Sequence, residues 1–314
     1  MTEEAKSYSQ MRREFYEKYT NKIVPLVKKH ENLRKTKLFI AIVLSSALFI
    51  CASLMLYLAC IYGGIFNRSN DGVVKLTILL YMLAYFAWFT IKKGFENSIK
   101  EKIMPTVCSC FGDMKWTHEK YSGGEIFSAS CVVPRFTSEE YDDIFYGSYK
   151  DVGIEIIEPE YDVGSGKNRR TVFNGVIIKL DMNKTFNSHT VIKPNSLIHT
   201  APSSDLRHTE LEDVEFNKKF DVYTNDEVDA RYLITPSFME RLKKIKTAFG
   251  ANNVSCAFYG NLLIIALPTK KDLFSICSLV KPIDDRTQYV RMYEEIVSII
   301  KLIDHFKLDQ KIGL

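Results

Sequence analysis

The sequence contains no GxSxG nucleophile elbow, no GxxxxGK[ST] phosphate loop, no GxGxxG and no HExxH. Those absences remove the common routes to serine hydrolysis, P-loop phosphoryl transfer, dinucleotide binding and zincin proteolysis. Cysteine is also scarce in any organised sense. Cys108, Cys110, Cys131, Cys256 and Cys277 lie beyond the apolar segments, an odd number without framework spacing, as expected of reduced thiols. Six histidines, His30, His118, His189, His199, His208 and His305, are scattered and read individually as surface residues.

The most informative absence is of charge. Leu38–Tyr62 runs for 25 residues without a charged side chain, and a second apolar run, Val73–Ile91, follows after the turn-forming GGIFNRSNDG. Either run is long enough, at 1.5 Å per residue, to cross a hydrocarbon core of roughly 30 Å as a helix. A core helix of a soluble protein is apolar on one stripe, whereas the first run is apolar all round. Its 13 Leu, Ile, Phe and Val residues sum to roughly −4 to −8 kcal/mol of insertion free energy. The second run carries Lys75 near its start, where an ammonium can snorkel to the interface. The first run begins too far into the chain, and is too long, for a cleaved signal peptide. The expectation is a transmembrane helical hairpin.

Basic residues set its orientation. Ten Lys or Arg precede the first run and Lys92, Lys93, Lys100 and Lys102 follow the second, against Arg68 alone in the loop. By the positive-inside rule both termini face the cytoplasm. The net charge of +4 comes largely from these juxtamembrane bases; it suits an anionic leaflet and gives no ground for nucleic-acid binding. The expected location is a bacterial inner membrane, multi-pass.

Four segments follow: a basic helical lead-in at 1–37, the hairpin at 38–91 (spans 38–62 and 73–91), a juxtamembrane helix at 92–112 and a cytoplasmic α+β domain at 113–314. The flanks resemble each other, with Phe15 ten residues before Pro25 and Phe95 ten before Pro105, so the two helices are expected to pack side by side or lie on the lipid surface. Within the domain, Val152–Tyr161 and Thr171–Leu180 are β-branched runs around GSGKN, a hairpin pattern. His189–Lys193 and Lys219–Tyr223 are shorter strand candidates, with a loop at Pro194–Glu210. Thr235-Pro236 opens a helix that Gly250 closes, and Phe238, Leu242, Ile245 and Phe249 form its buried stripe. A second hairpin turns at Gly260-Asn261. The last helix spans about Arg286–Phe306 with Tyr289, Tyr293, Ile296, Ile300 and Ile303 on one face.

The stretch from Leu211 to Leu267 carries a pattern of its own: Glu212, Phe216, Phe220, Val222 and Tyr223, then Asp226, Ala230, Arg231, Tyr232, Thr235, Pro236 and Met239, with Asp272-Leu273-Phe274 beyond. With Phe15, Pro25, the paired spans and Tyr121 near Ser122-Gly123, this resembles the bacterial membrane-protein family catalogued as domain of unknown function 3137. The resemblance implies a membrane-anchored cytoplasmic domain and brings no assigned activity. The chain departs from the pattern at its end, where Gly313-Leu314 stands in place of an aromatic ending.

No catalytic constellation emerges from the residues. Asp221, Asp226, Glu227 and Asp229 near Arg231 are close enough in sequence to consider a cation, but strand residues alternate faces and the four cannot all converge. A solvated turn with Arg231 pairing to Asp226 or Asp229 is the expectation. Asp226, Asp229, Arg231 and Tyr232 are therefore the candidate interaction or structural cluster. Cys108-x-Cys110 with His118 and Cys131 has the wrong spacing for zinc; Cys108 and Cys110 are expected at the membrane surface. Lys243, Lys244 and Lys246 read as a solvated helix face, with anionic headgroups as the alternative partner. Tyr141, Tyr146 and Tyr149 suggest an exposed aromatic patch; core packing or a strand edge explains them equally well. No cofactor or metal is assigned. The function expected is a membrane-anchored binding or scaffold module with the lipid bilayer and a protein partner or second copy as its contacts. The alternatives are an enzyme on a membrane-proximal substrate and an accessory subunit of a larger membrane complex.

Overall fold

The computed structural model describes residues 8–63, 71–150, 152–182, 185–271, 273–283 and 286–311. Most of the expected inter-run loop, Asp272 and Gly313-Leu314 lie outside them. The chain forms two compact units, one from Met1–Phe15, Cys108–Phe274 and Val290–Leu314, the other from Tyr16–Val107 and Ser275–Tyr289.

The helical unit contains most of two long helices. The first begins as α1 (Tyr8–Lys18), passes through a π-helical turn at Tyr19–Ile23 and continues as α2 (Val24–Gly63); the second is α3 (Asp71–Cys108). The π turn has a local cause. Pro25 has no N–H and its ring would clash with the carbonyl four residues back, at Asn21, inside the wide turn. Both helices are long and apolar enough to cross a membrane by length and composition. Their apolar stretches face outward, with Phe39, Phe49, Ile50, Met82, Tyr85 and Phe86 exposed. Within the apolar stretches the buried residues of α2 and α3 are small: Ala41, Ala52 and Ala59 on the first, Thr77 and Ala84 on the second. Small side chains let backbones approach when the surroundings are apolar. A polar tie joins them, Ser53 Oγ to Tyr81 Oη at 3.0 Å. Arg34, one of the basic flank residues, is buried rather than free for headgroups. Its Nε and Nη2 donate to Glu31 at 2.8 and 2.7 Å and its Nη1 to Leu279 O at 2.8 Å. That pairing holds the Glu31 carboxyl below its ordinary range.

The second unit is α+β. Nine antiparallel strands, β1 (Lys115–Thr117), β2 (Ser138–Tyr149), β3 (Val152–Val163), β4 (Arg170–Asp181), β5 (Thr190–Pro194), β6 (Arg207–Thr209), β7 (Phe220–Thr224), β8 (Ser255–Tyr259) and β9 (Leu262–Pro268), form one sheet. Its order is β1-β2-β3-β4-β9-β8-β5-β7-β6. Central β9, LLIIALP, is buried on both faces, which explains its unbroken apolar run. One face carries Tyr161, Ile177, Val191, Tyr223 and Ile264 in a core completed by Phe127 of α4 (Glu125–Ala129) and by Leu206. On the other, Phe258 meets Phe238 of α7 (Pro236–Ala248) at 5.3 Å. Two short helices, α5 (Val214–Asn217) and α6 (Glu227–Leu233), flank β7, and α8 (Arg286–Lys311) ends the described chain.

The sequence expectations for α7 and α8 hold in their caps and buried stripes, while α8 runs on to Lys311 instead of ending near Phe306. Thr235 Oγ1 accepts from Phe238 N at 3.2 Å as the N-cap, and Gly250 takes φ +57 after the last turn. Phe238, Leu242, Ile245 and Phe249 are buried, as are Tyr289, Tyr293, Ile296, Ile300 and Ile303. Both expected hairpins form. The sequence leaves β1 and β2 unassigned and reads Pro194–Glu210 as a loop, whereas β6 forms within it, at the sheet edge beside β7; Tyr141, Tyr146 and Tyr149 lie in β2. The expected exposed patch is confined to Tyr146; Tyr149 is buried and Tyr141 packs against the core. The bulge between Tyr141 and Ile144 leaves Tyr141 with Ile144 at the same core, while Tyr149, three positions from Tyr146, projects from the opposite face.

Candidate functional site

The structure dismantles the Asp226–Arg231 pairing. Asp226 is the N-cap of α6, its Oδ1 accepting from Val228 N at 2.9 Å and Asp229 N at 3.1 Å. Asp229 turns away, its Oδ2 accepting from Ser188 N at 3.0 Å and Ser188 Oγ at 2.5 Å. Ser188 Oγ continues to Thr190 Oγ1 (2.9 Å) and thence to Thr224 Oγ1 (2.8 Å), a buried hydroxyl chain tying α6 to β5 and β7. Arg231 instead reaches Glu227, 3.5 Å away and one helical turn back, with both side chains about half exposed. The reason is geometric: once Asp226 caps the helix, the residue four before Arg231 is Glu227, and i,i+4 neighbours share a face. Val228 and Tyr232, a further i,i+4 pair, are exposed on the same helix.

The sulfur expectations also change. Cys108 and Cys110 are buried, and burial pushes the Cys108 thiol up to about 12. Among the described residues, neither joins His118 or Cys131 in a group able to hold a metal. Lys244 pairs loosely with Glu240 at 3.7 Å on the solvated face of α7, as expected, while Lys243 lies over the Phe216 ring at 5.8 Å.

The cluster that does assemble was missed by sequence reading. Asp221 stands in β7 two residues before Tyr223, so both project from the same face. Edge strand β6 pairs with β7 so that His208 lies opposite Tyr223 and diagonal to Asp221. His199 arrives from the connection between β5 and β6. The Asp221 side chain is only 3% exposed, and its Oδ1 lies 3.0 Å from His199 Nδ1 and 3.6 Å from His208 Nε2. Its Oδ2 accepts from Ser196 N at 3.1 Å. The two imidazoles are tilted against each other with centroids 4.5 Å apart, and His208 meets the edge of Tyr223 at 5.5 Å. Burial, then the Asp221 charge, raises the Tyr223 hydroxyl above its ordinary pKa. Lys193 is Asp221's register partner on β5, yet makes no ion pair with it; burial holds this ammonium below the ordinary lysine range.

A cavity of about 340 Å³ opens over the cluster, bordered by Asn195, Glu210, Asn217 and Lys218. Its rim is fixed by Asn195 Nδ2 donating to Asn217 O at 2.8 Å and by Asn217 bridging both backbone groups of Leu211. One buried carboxylate and two imidazoles, three segments apart in sequence, are a donor set for a divalent cation or for a proton shared among three groups. A second acidic group, Asp142, Asp143 and Glu158, lies around the β2 bulge; there Asp143 Oδ1 accepts from Trp116 Nε1 at 2.7 Å and Glu158 Oε1 from Leu273 N at 3.3 Å. The available signal for the first cluster was an acidic residue inside a short strand, FDVYT, downstream of two histidines on a polar connection.

Comparison with known proteins agrees with this fold region. The family model described as "Protein of unknown function (DUF3137)" matches residues 171–308, from β4 through most of α8, so the resemblance read from the motif residues is shown there. No curated protein matches the chain. Among solved structures, the mycobacterial trehalose monomycolate transport factor A, TtfA, aligns with a TM-score of 0.36 and 11% identity, over 63% of this chain and 90% of that one.

Proposed function

We propose that the chain is a membrane-anchored binding or scaffold module of a bacterial inner membrane, multi-pass, with both termini and the α+β unit on the cytoplasmic side. The observation that carries this reading is the pair of long helices α2 and α3, whose outward-facing residues between Phe39 and Phe89 are largely apolar and exposed. So much contiguous apolar surface is unfavourable in water and favourable in lipid. The division into lead-in (1–37), hairpin (38–91), juxtamembrane helix (92–112) and cytoplasmic domain (113–314) belongs to the same proposal. The outer face of α6, with Val228, Arg231 and Tyr232 exposed, is its proposed contact with a protein partner. Anchoring would raise that partner's effective concentration at the membrane.

Reporter fusions test the orientation. Alkaline phosphatase joined after Leu314 should be inactive, and joined within residues 63–72 active, because fourteen Lys or Arg flank the two runs against one between them. The reverse pattern overturns the compartment and the proposed cytoplasmic partners together. Proximity labelling from the C-terminus should then enrich a partner that is lost with Tyr232→Ala. Enrichment unchanged by that substitution would remove α6 as the contact.

A further inference from the structure

We propose that His199, His208 and Asp221 bind a divalent transition-metal ion of the zinc class, with water completing the coordination from the cavity above them. The geometry needs little adjustment. Bonds of about 2.0–2.1 Å place ligand atoms roughly 3.3 Å apart around a tetrahedral ion and roughly 3.0 Å apart at right angles. Here the carboxylate oxygen stands 3.0 and 3.6 Å from the two ring nitrogens, and the three donor atoms lie within 4.8 Å of one another. Imidazole nitrogen with one carboxylate oxygen suits zinc and its neighbours better than calcium or magnesium, which prefer oxygen alone.

The charges point the same way. Asp221 is buried and, among the described residues, forms no salt bridge with Lys or Arg; the two histidines and the Tyr223 hydroxyl face it. A buried carboxylate needs a compensating charge. The two rings lie tilted with centroids 4.5 Å apart, close enough to converge on one point beside the carboxylate. A divalent cation compensates the carboxylate with both rings neutral. The outer contacts also resemble a ligand held in place rather than a passing hydrogen bond. Ser196 N engages Oδ2 and leaves Oδ1 for the shared point, and the backbone on either side is pinned by β5–β7–β6 pairing. The cavity of about 340 Å³ has room for several waters, at about 30 Å³ each. The consequence is a fastening. His199 sits on a connection whose Leu197 and Ile198 are fully or largely exposed, and the ion would join that connection to the edge of the sheet.

Full-length protein in detergent micelles, stripped with chelator and titrated with Zn²⁺, should take up one ion that is lost in His199→Ala. Zn²⁺ affinity should fall by more than about 100-fold in His208→Ala and Asp221→Asn, since even outer-shell changes cost 10–100-fold. Asp221→Asn could fail to fold because Ser196 depends on that carboxylate; His199→Ala, whose side chain is half exposed, keeps the test decisive. Co²⁺ in place of Zn²⁺ should give a weak visible d–d spectrum without thiolate charge transfer, and His199→Ala should abolish it. Wild-type protein that binds no Zn²⁺ in the micromolar range, variants that bind as wild type does, or a thiolate band would each overturn the proposal.

Discussion

Glu295 offers the clearest energetic test of the α+β unit. It sits in α8 at 1% exposure, and among the described residues neither carboxylate oxygen has a hydrogen-bond donor. Arg291 Nε is 3.4 Å from Oε1, but off the direction a hydrogen bond requires, and Arg291 Nη2 donates to Leu273 O instead. Burial therefore outweighs the nearby Arg291 and Lys271 and pushes the Glu295 carboxyl up to about 7 from an ordinary 4.5. Below pH 4.5 the group is protonated whether the chain is folded or not, and costs nothing. Between 4.5 and 7 the unfolded chain ionises while the folded one holds its proton, so stability falls as pH rises. Above 7 the loss is complete. At about 1.4 kcal/mol per pH unit, that interval amounts to about 3 kcal/mol. Glu295→Gln cannot ionise and should escape the loss. Urea unfolding of the full chain in detergent, followed by Trp fluorescence at pH 5 and pH 8, reads the stability difference between variant and wild type at each pH. About 0.8 kcal/mol of the loss is already present at pH 5, so the variant should gain by about 2.5 kcal/mol relative to wild type on going from pH 5 to pH 8, a shift of roughly 5–10 °C in Tm for a unit of this size. Other titrating groups cancel in the comparison. An identical difference at both pH values would refute the reasoning, because it would mean that Glu295 ionises in the folded chain as easily as in water.

Two further outcomes follow from the same geometry. Arg231→Ala should change stability by less than about 0.5 kcal/mol, since its contact with Glu227 is long and exposed, whereas Asp229→Ala should cost about 1–3 kcal/mol by stranding the Ser188 N–H and removing the carboxylate that ends the hydroxyl chain; urea midpoints in the reverse order would restore Arg231 as the structural residue. Gly175→Ala should prevent stable folding, because a Cβ there would collide with Leu267 O of β9 and lie 2.7 Å from N of Thr269, the residue just after β9, both backbone atoms; soluble, cooperatively unfolding variant protein would contradict it.

Much of the architecture was legible because it rests on periodicities that local sequence carries. The stripe Phe238, Leu242, Ile245, Phe249 repeats at helical spacing and is buried, and the Gly260-Asn261 turn joins β8 to β9 with Gly260 at φ +62. The uncharged run of α2 announces itself by composition alone. β2 escaped because its SEEYDDIFYGSY mixes acids with aromatics across a bulge, so neither strict alternation nor an apolar run marks it.

The candidate site was illegible for a different reason. The sequence brings Asp226, Asp229 and Arg231 within six positions, and proximity along the chain invites a pairing that the helix geometry then forbids: Asp226 is spent on the N-cap and Asp229 on Ser188. Asp221, His208 and His199 are separated by 13 and 9 positions, and nothing local joins them. They meet because β6 adds to the outer edge of β7 in one register, placing His208 opposite Tyr223, and because the connection from β5 folds back over that edge. A one-residue slip of β6 would turn His208 to the opposite face and scatter the set. The site is therefore a property of strand pairing at the sheet's edge, where a sheet has unpaired backbone to offer and a connection is free to return.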